Sequence, residues 1–146
     1  MDTTTDRDVL VLPQDVRERL RELALAEYPR EACGLLLGRV LGSRRLAEVV
    51  HPARNLNVER AHDRYELDPR DQLAAERAAR DSCREVIGVW HTHPDHPATP
   101  SETDRAAAWS GWSYLILSVV RGELAELRSW RLDEATRRFL PETTLP

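Results

Sequence analysis

The chain contains no lysine: all 21 of its basic residues are arginines. Chemistry that runs through a lysine Schiff base is therefore excluded. Only two cysteines occur, Cys33 and Cys83, too few for the disulfide framework of a small secreted fold. No apolar run approaches the roughly 20 residues that a membrane span needs, so no membrane partner is expected. No charged segment followed by an apolar one opens the chain, so no secretory leader is expected and the cytoplasm is the expected location. Acidic residues number 25 and the net charge is −4, which argues against nucleic acid, whose phosphates call for a basic face. A nucleoside deaminase would need His-x-Glu and Pro-Cys-x-x-Cys, and neither is present. At 146 residues the chain is one ordinary domain and far too short for an amidohydrolase barrel.

What remains is enough for a core, since 41% of the residues are hydrophobic. Residues 1–8 are polar and read as a flexible N-terminus. Val9 to Leu12 is a short strand, and Pro13 opens a helix with Val16, Leu20 and Leu23 at helical spacing, ended by Tyr28-Pro29. Ala32 to Val40 and Leu46 to Val50 form a hairpin around Gly42-Ser43. Residues 51–63 are irregular, and Arg64 to Leu67 reads as a short strand. Asp68 caps a second helix running to about Cys83. Glu85 to Trp90 is a strand, and a third helix from Glu102 is closed by Gly111. Trp109 and Trp112 share a face of that helix and are expected in the core, with Trp90 and Trp130. Tyr114 to Val120 and Leu124 to Leu132 make a second hairpin, and 133–146 is a C-terminal tail in which Phe139-Leu140 could dock. This order predicts a single domain at 9–132 in the α/β (α+β mixed) class: a mixed curved sheet packed by about three helices.

One segment carries chemistry. In His91-Thr92-His93 both imidazoles face the same way if the strand runs on through them. Pro94, Pro97 and Pro100 then force the chain to turn. Ser101 is a natural helix N-cap, and Asp104 sits three residues later in the first turn, where a loop of this length can fold it back to the histidines. Two imidazoles and a carboxylate suit zinc, and three protein ligands leave a position open, the mark of a catalytic rather than a structural site. A proton acceptor that is not a ligand is also needed. Glu31 is the best candidate, because a carboxylate at the mouth of the apolar run Ala32 to Gly38 is unusual. Ser101 can offer its hydroxyl to an oxyanion, or serve only as the cap. His96 could rim the cleft, but a solvated loop histidine is the simpler reading. His51 and His62 read as surface residues, and Cys33 as a buried inert thiol.

Taken together, Glu31, His91-Thr92-His93, seven residues, Ser101, two residues and Asp104 resemble the signature of the JAMM (MPN-domain) zinc metalloproteases. The Gly-Leu-Leu run, Gly-Val-Trp before the histidines and Ser113 to Ser118 are similar too, so the resemblance spans about Leu10 to Leu132. It implies an MPN/JAMM-like (cytidine-deaminase-like) sandwich. It also implies one zinc per chain on His91, His93 and Asp104, Glu31 as general acid/base, Ser101 in the oxyanion role, and peptidase or isopeptidase activity. The short chain is most like the stand-alone bacterial members. For these the implied substrate is a ubiquitin-like or sulfur-carrier protein, cut after its C-terminal Gly-Gly. Such a tail could lie along a free sheet edge. The alternative is a non-catalytic MPN scaffold that binds partner proteins. Nothing in the sequence sets the oligomeric state.

Overall fold

Gly34-Leu35-Leu36-Leu37 is buried along its whole length, which a strand achieves only with cover on both faces. The cover comes from two helices. In the computed structural model, which describes residues 8–146, the elements run β1 (Val9–Val11), α1 (Gln14–Glu27), β2 (Cys33–Leu41), β3 (Arg44–Ala53), α2 (Pro69–Asp81), β4 (Glu85–Pro94), α3 (Glu102–Ala107), β5 (Ser113–Val120), β6 (Glu123–Asp133) and β7 (Arg138–Leu145). Leu36 and Trp90 pack with Val16, Leu20 and Ala24 of α1. Leu35, Leu37 and Val89 pack with Ala75 and Ala79 of α2. The strands' two-residue alternation thus divides the core into two clusters.

The sheet is mixed, and its strands close in the order β1-β3-β2-β4-β5-β6-β7. β4 is antiparallel to β2 and parallel to β5. A parallel neighbour cannot follow by a tight turn, so the chain leaving β4 must cross back, and α3 lies on that crossover. Two glycines let the strands beside β4 approach closely. A Cβ on Gly34 would collide with the His51 carbonyl and the Trp90 indole, and one on Gly88 with the Ser113 carbonyl.

The flexible N-terminus expected at 1–8 lies outside the described residues except for Asp8. Several other expectations need correction. Residues 138–145, read as tail, form β7, which pairs with β6 and, over Thr143–Leu145, with β1. Arg64 to Leu67 is no strand; a single bridge joins Asn55 to Leu67. The third helix stops at Ala107 rather than at Gly111, because Ala108 is already extended. Trp109 is consequently not core but 72% exposed. The strand order closes, yet free edge remains for a substrate tail: β1 covers β3 only at Arg44–Leu46, so among the described residues Ala47–Ala53 have no strand neighbour on that side. Among the described residues no helix is long and apolar enough to cross a membrane.

Candidate metal centre

β4 extends beyond Trp90 to Pro94, so His91 and His93 are strand residues on one face. The antiparallel register sets Cys33 opposite His91. Carried two residues on, it brings Glu31 towards His93. Thr92 points the other way and fastens the two segments: its Oγ1 accepts the Ala32 N–H at 2.8 Å, and its own N–H reaches the Ala32 carbonyl at 3.0 Å. Asp104 arrives from α3 through a capping box. The Ser101 Oγ accepts the Asp104 N–H at 3.0 Å, and Asp104 Oδ2 accepts the Ser101 N–H at 2.8 Å. Because Oγ acts there as an acceptor, the hydroxyl hydrogen of Ser101 is left for another partner.

The donor atoms converge. His91 Nε2 and His93 Nε2 are 3.1 Å apart, His93 Nε2 lies 3.2 Å from Asp104 Oδ2, and His91 Nε2 lies 3.4 Å from Asp104 Oδ1. The edge of a tetrahedron around zinc with ordinary ligand distances is about 3.3 Å. The tautomers agree with a cation at the centre. His93 Nδ1 is 2.9 Å from the Pro97 carbonyl, which can only accept, so the proton sits there and Nε2 faces inward bare. His91 Nδ1 is buried with no hydrogen-bond partner. Glu31 offers an oxygen that, with the two imidazole nitrogens, forms a group within 4.8 Å of one another. Two carboxylates, Glu31 and Asp104, thus stand within reach of the imidazole nitrogens, Asp104 at 3.2 and 3.4 Å.

Burial sets the electrostatics. It pushes the Glu31 carboxyl up to about 8, with Asp104 and Asp63 adding to the rise and His93 opposing it. Burial holds His91 below its ordinary value, hence neutral and fit to be a ligand. Burial would also lower His93, but the Asp104 carboxylate and the Pro97 carbonyl outweigh it and raise the ring. Burial would raise Asp104, yet hydrogen bonds from both imidazoles and the Ser101 N–H hold it well below the usual carboxylate range. The Cys33 thiol, pushed to about 12 by burial and Glu31, stays protonated and inert.

Two cavities flank the cluster. One, of about 450 Å³, is bounded by Glu31, Cys33, Arg30, Arg54 and Asn55. The other, of about 220 Å³, is bounded by Ser101, Asp104, Tyr65, Trp109, Trp112 and Tyr114. The structure therefore brings together Glu31, His91, His93, Ser101 and Asp104. His96 is exposed and is held by its backbone, its carbonyl accepting the Ser118 hydroxyl at 2.5 Å and its N–H reaching the His93 carbonyl at 3.5 Å. His51 is half-buried on β3 rather than a plain surface residue. Sequence reasoning missed Tyr65, whose ring stacks on His91 at 4.5 Å and 24°. It also missed Asn55, which ties the loop after β3 to Glu31. Their one signal was an aromatic and an amide standing in an otherwise charged, irregular stretch.

Residues 13–133 match the family model described as prokaryotic homologs of the JAB domain. The chain is 35% identical over 114 residues to a desampylase from Haloferax volcanii, covering 75% of this chain and 80% of that protein. It is 34% identical over 128 residues to a CysO-cysteine peptidase from Mycobacterium tuberculosis, covering 85% and 83%. A solution structure of a protein from Desulfitobacterium hafniense superposes with a TM-score of 0.81 at 30% identity, covering 94% of this chain and 91% of that one.

Proposed function

The chain belongs to the family of prokaryotic homologs of the JAB domain, and from that premise we propose that it is a zinc-dependent peptidase. Its substrate is an amide bond after the C-terminal Gly-Gly of a ubiquitin-like or sulfur-carrier protein. The observation that carries this reading is the convergence of His91, His93 and Asp104 at 3.1–3.4 Å with Glu31 beside them. His91, His93 and Asp104 would hold the ion, which would supply Lewis acidity for the scissile carbonyl and for a water near neutral pH. Glu31 accepts the proton of the attacking water and returns it to the leaving amine; burial favours its protonated form and a nearby dication its ionised one, so the two together set it between acid and base. Ser101 donates its free hydroxyl hydrogen to the carbonyl oxygen as charge builds there. The leaving nitrogen then lies toward the Glu31 cavity, and the acyl side toward the cavity of Ser101 and Tyr65. The substrate class is supported by the names of the relatives, a desampylase and a CysO-cysteine peptidase. The two unpaired cysteines fit a cytoplasmic location.

The test is metal content followed by one substitution. Protein purified without chelator should carry one zinc per chain and cleave a ubiquitin-like protein fused through Gly-Gly to a short extension, losing that activity in chelator. Glu31→Gln should keep the zinc and lose about 10²- to 10⁴-fold in kcat, the usual share of an acid/base group. A chain that neither contains nor binds zinc would instead favour the non-catalytic scaffold.

A further inference from the structure

Asn55 lies just beyond β3, in the loop that leads to α2. Its side chain has four hydrogen-bonding positions, and all four are filled. Nδ2 donates to the Glu31 carbonyl at 3.2 Å and to the Arg64 carbonyl at 3.0 Å. Oδ1 accepts the Asn57 N–H at 3.0 Å and the Glu66 N–H at 2.9 Å. Two carbonyls and two N–H groups admit one orientation of the amide. Backbone bonds reinforce the arrangement. The Leu56 N–H donates to the Glu66 carbonyl at 2.8 Å, the Asp68 N–H to the Arg54 carbonyl at 3.1 Å, and the Glu31 N–H to the Ala61 carbonyl.

The partners sit on opposite flanks of the metal cluster. Glu31 is the proton carrier on one side. Arg64 and Glu66 bracket Tyr65, whose ring stacks on the ligand His91. Asn55 joins Glu31, just ahead of β2, to the far side of the 54–68 loop, whereas the Cys33 thiol reaches only the near end, the Arg54 carbonyl, at 3.7 Å. No strand pairing does this: the loop's one bridge, Asn55 to Leu67, stays within the loop. Glu31 itself precedes the first residue of β2, so sheet pairing does not hold its backbone.

We propose that Asn55 is a positioning residue for the reaction, a clasp that fixes Glu31 and Tyr65 in one frame relative to His91 and His93. It is not a metal ligand, and although it borders the Glu31 cavity its four hydrogen-bonding positions are taken up by the chain itself, so it works through the two segments it joins. The proposal rests on the peptidase reading for its kinetic consequence, and on the hydrogen bonds alone for its structural one.

The experiment compares Asn55→Ala, Asn55→Asp and Asn57→Ala in zinc-loaded protein. Asn55→Asp is nearly isosteric, keeps an acceptor, and replaces the two donors with oxygen facing two carbonyls. Asn57→Ala loosens the same loop by removing the acceptor of the Arg60 N–H, without touching Glu31. Amide hydrogen exchange is read first. Both Asn55 variants should exchange at least about tenfold faster than wild type at residues 31–33 and at 64–67 together. Asn57→Ala should speed exchange only at 57–61. With a ubiquitin-like fusion as probe, the Asn55 variants should lose about 10- to 100-fold in kcat, with KM and zinc content near wild type. Asn57→Ala should keep the wild-type kcat. Wild-type exchange in Asn55→Asp at either segment overturns the clasp. So does an Asn57→Ala that matches it in exchange and rate, for then the loop as a whole is what counts. If wild type cleaves no such fusion, the peptidase reading fails, and the exchange comparison still decides whether Asn55 joins the two segments.

Discussion

Two polar clusters lie on different strands of the same sheet, and they differ in whether their charges balance. At the closing seam of the sheet Arg131 donates to Glu142 and to the Ser43 carbonyl, and its Nη1 lies 2.9 Å from Asp8. Ser129 donates to Glu142 at 2.6 Å, and Arg45 to Ser113 at 3.2 Å. Two arginines face two carboxylates, and each polar group has a partner. At the metal end, two carboxylates face two imidazoles that are neutral unless protonated. There Glu31 is pushed up to about 8 by burial, and His91 Nδ1 has no partner. The seam is complete with the atoms of the chain alone. The metal end lacks that balance of charge, which a divalent cation on the imidazole Nε2 atoms would restore, and on the reading proposed above that asymmetry separates a cluster built for folding from one built for binding.

The strongest way to break this comparison is to exchange the outcomes of two substitutions. Asp104→Asn keeps an oxygen for the Ser101 N–H but removes the charged ligand. Zinc affinity should fall more than about 100-fold and activity with it, while stability in chelator stays near wild type. Glu142→Ala should do the reverse. It leaves the Arg131 charge without its nearest partner in a mostly buried position, for a loss of about 3 kcal/mol in urea unfolding, with zinc content and kcat intact. Were Asp104→Asn to unfold the metal-free chain, or Glu142→Ala to shed the zinc, the two clusters would not be separate devices.

A weaker effect sharpens the same point through pH. The folded chain holds a proton on Glu31 up to about pH 8, whereas the unfolded chain releases it near an ordinary carboxylate value. Between those values the native state binds the extra proton, so raising the pH lowers the stability of metal-free protein. Thermal unfolding in chelator should therefore show a melting temperature that falls from about pH 5 to about pH 8, and Glu31→Gln should flatten the slope. With zinc bound the fall should largely vanish, since a nearby dication favours the ionised carboxylate. A slope equal in wild type and Glu31→Gln would place the titrating group elsewhere.

How much of this was legible beforehand follows from how local each signal is. His91, His93, Ser101 and Asp104 fall within 14 residues of one another, and strand alternation plus a capping box are enough to aim them. Glu31 stood out as a charge at the start of an apolar run. The closure of the sheet was not legible, because β1 pairs with β3 and β7 across long stretches of chain and three residues carry little pattern. β7 was hidden by Pro141, which reads as a breaker. It is tolerated because β7 meets β1 only at Thr143–Leu145, so its first half needs no donors on that side. For α3, the helical spacing of the sequence reads on to Trp109 and Trp112, past the helix's actual end. None of its residues is buried, so no packing extends it past Ala107. Asn55 and Tyr65 escaped because their roles depend on contacts with Glu31 and with His91 of β4 that no spacing in their own stretch encodes.

Tyr65 supplies the smallest and most discriminating prediction. Its ring lies nearly parallel to that of His91, and an aromatic pair of this kind contributes about 0.5–1.5 kcal/mol beyond the area it buries. His91 Nδ1 has no hydrogen-bond partner to orient the ring, so the stacked tyrosine takes over part of the task that a hydrogen bond performs for His93. Tyr65→Phe keeps the stack and should keep zinc affinity and kcat within about twofold of wild type. Tyr65→Ala removes it, frees His91 to rotate, and should weaken zinc binding by about tenfold, the lower end of what outer contacts of metal ligands contribute. Competition with a chromogenic chelator measures both. A Tyr65→Phe chain that loses as much affinity as Tyr65→Ala would assign the effect to the phenol oxygen rather than to the ring, and the metal end would then contain a hydrogen bond this comparison has left out.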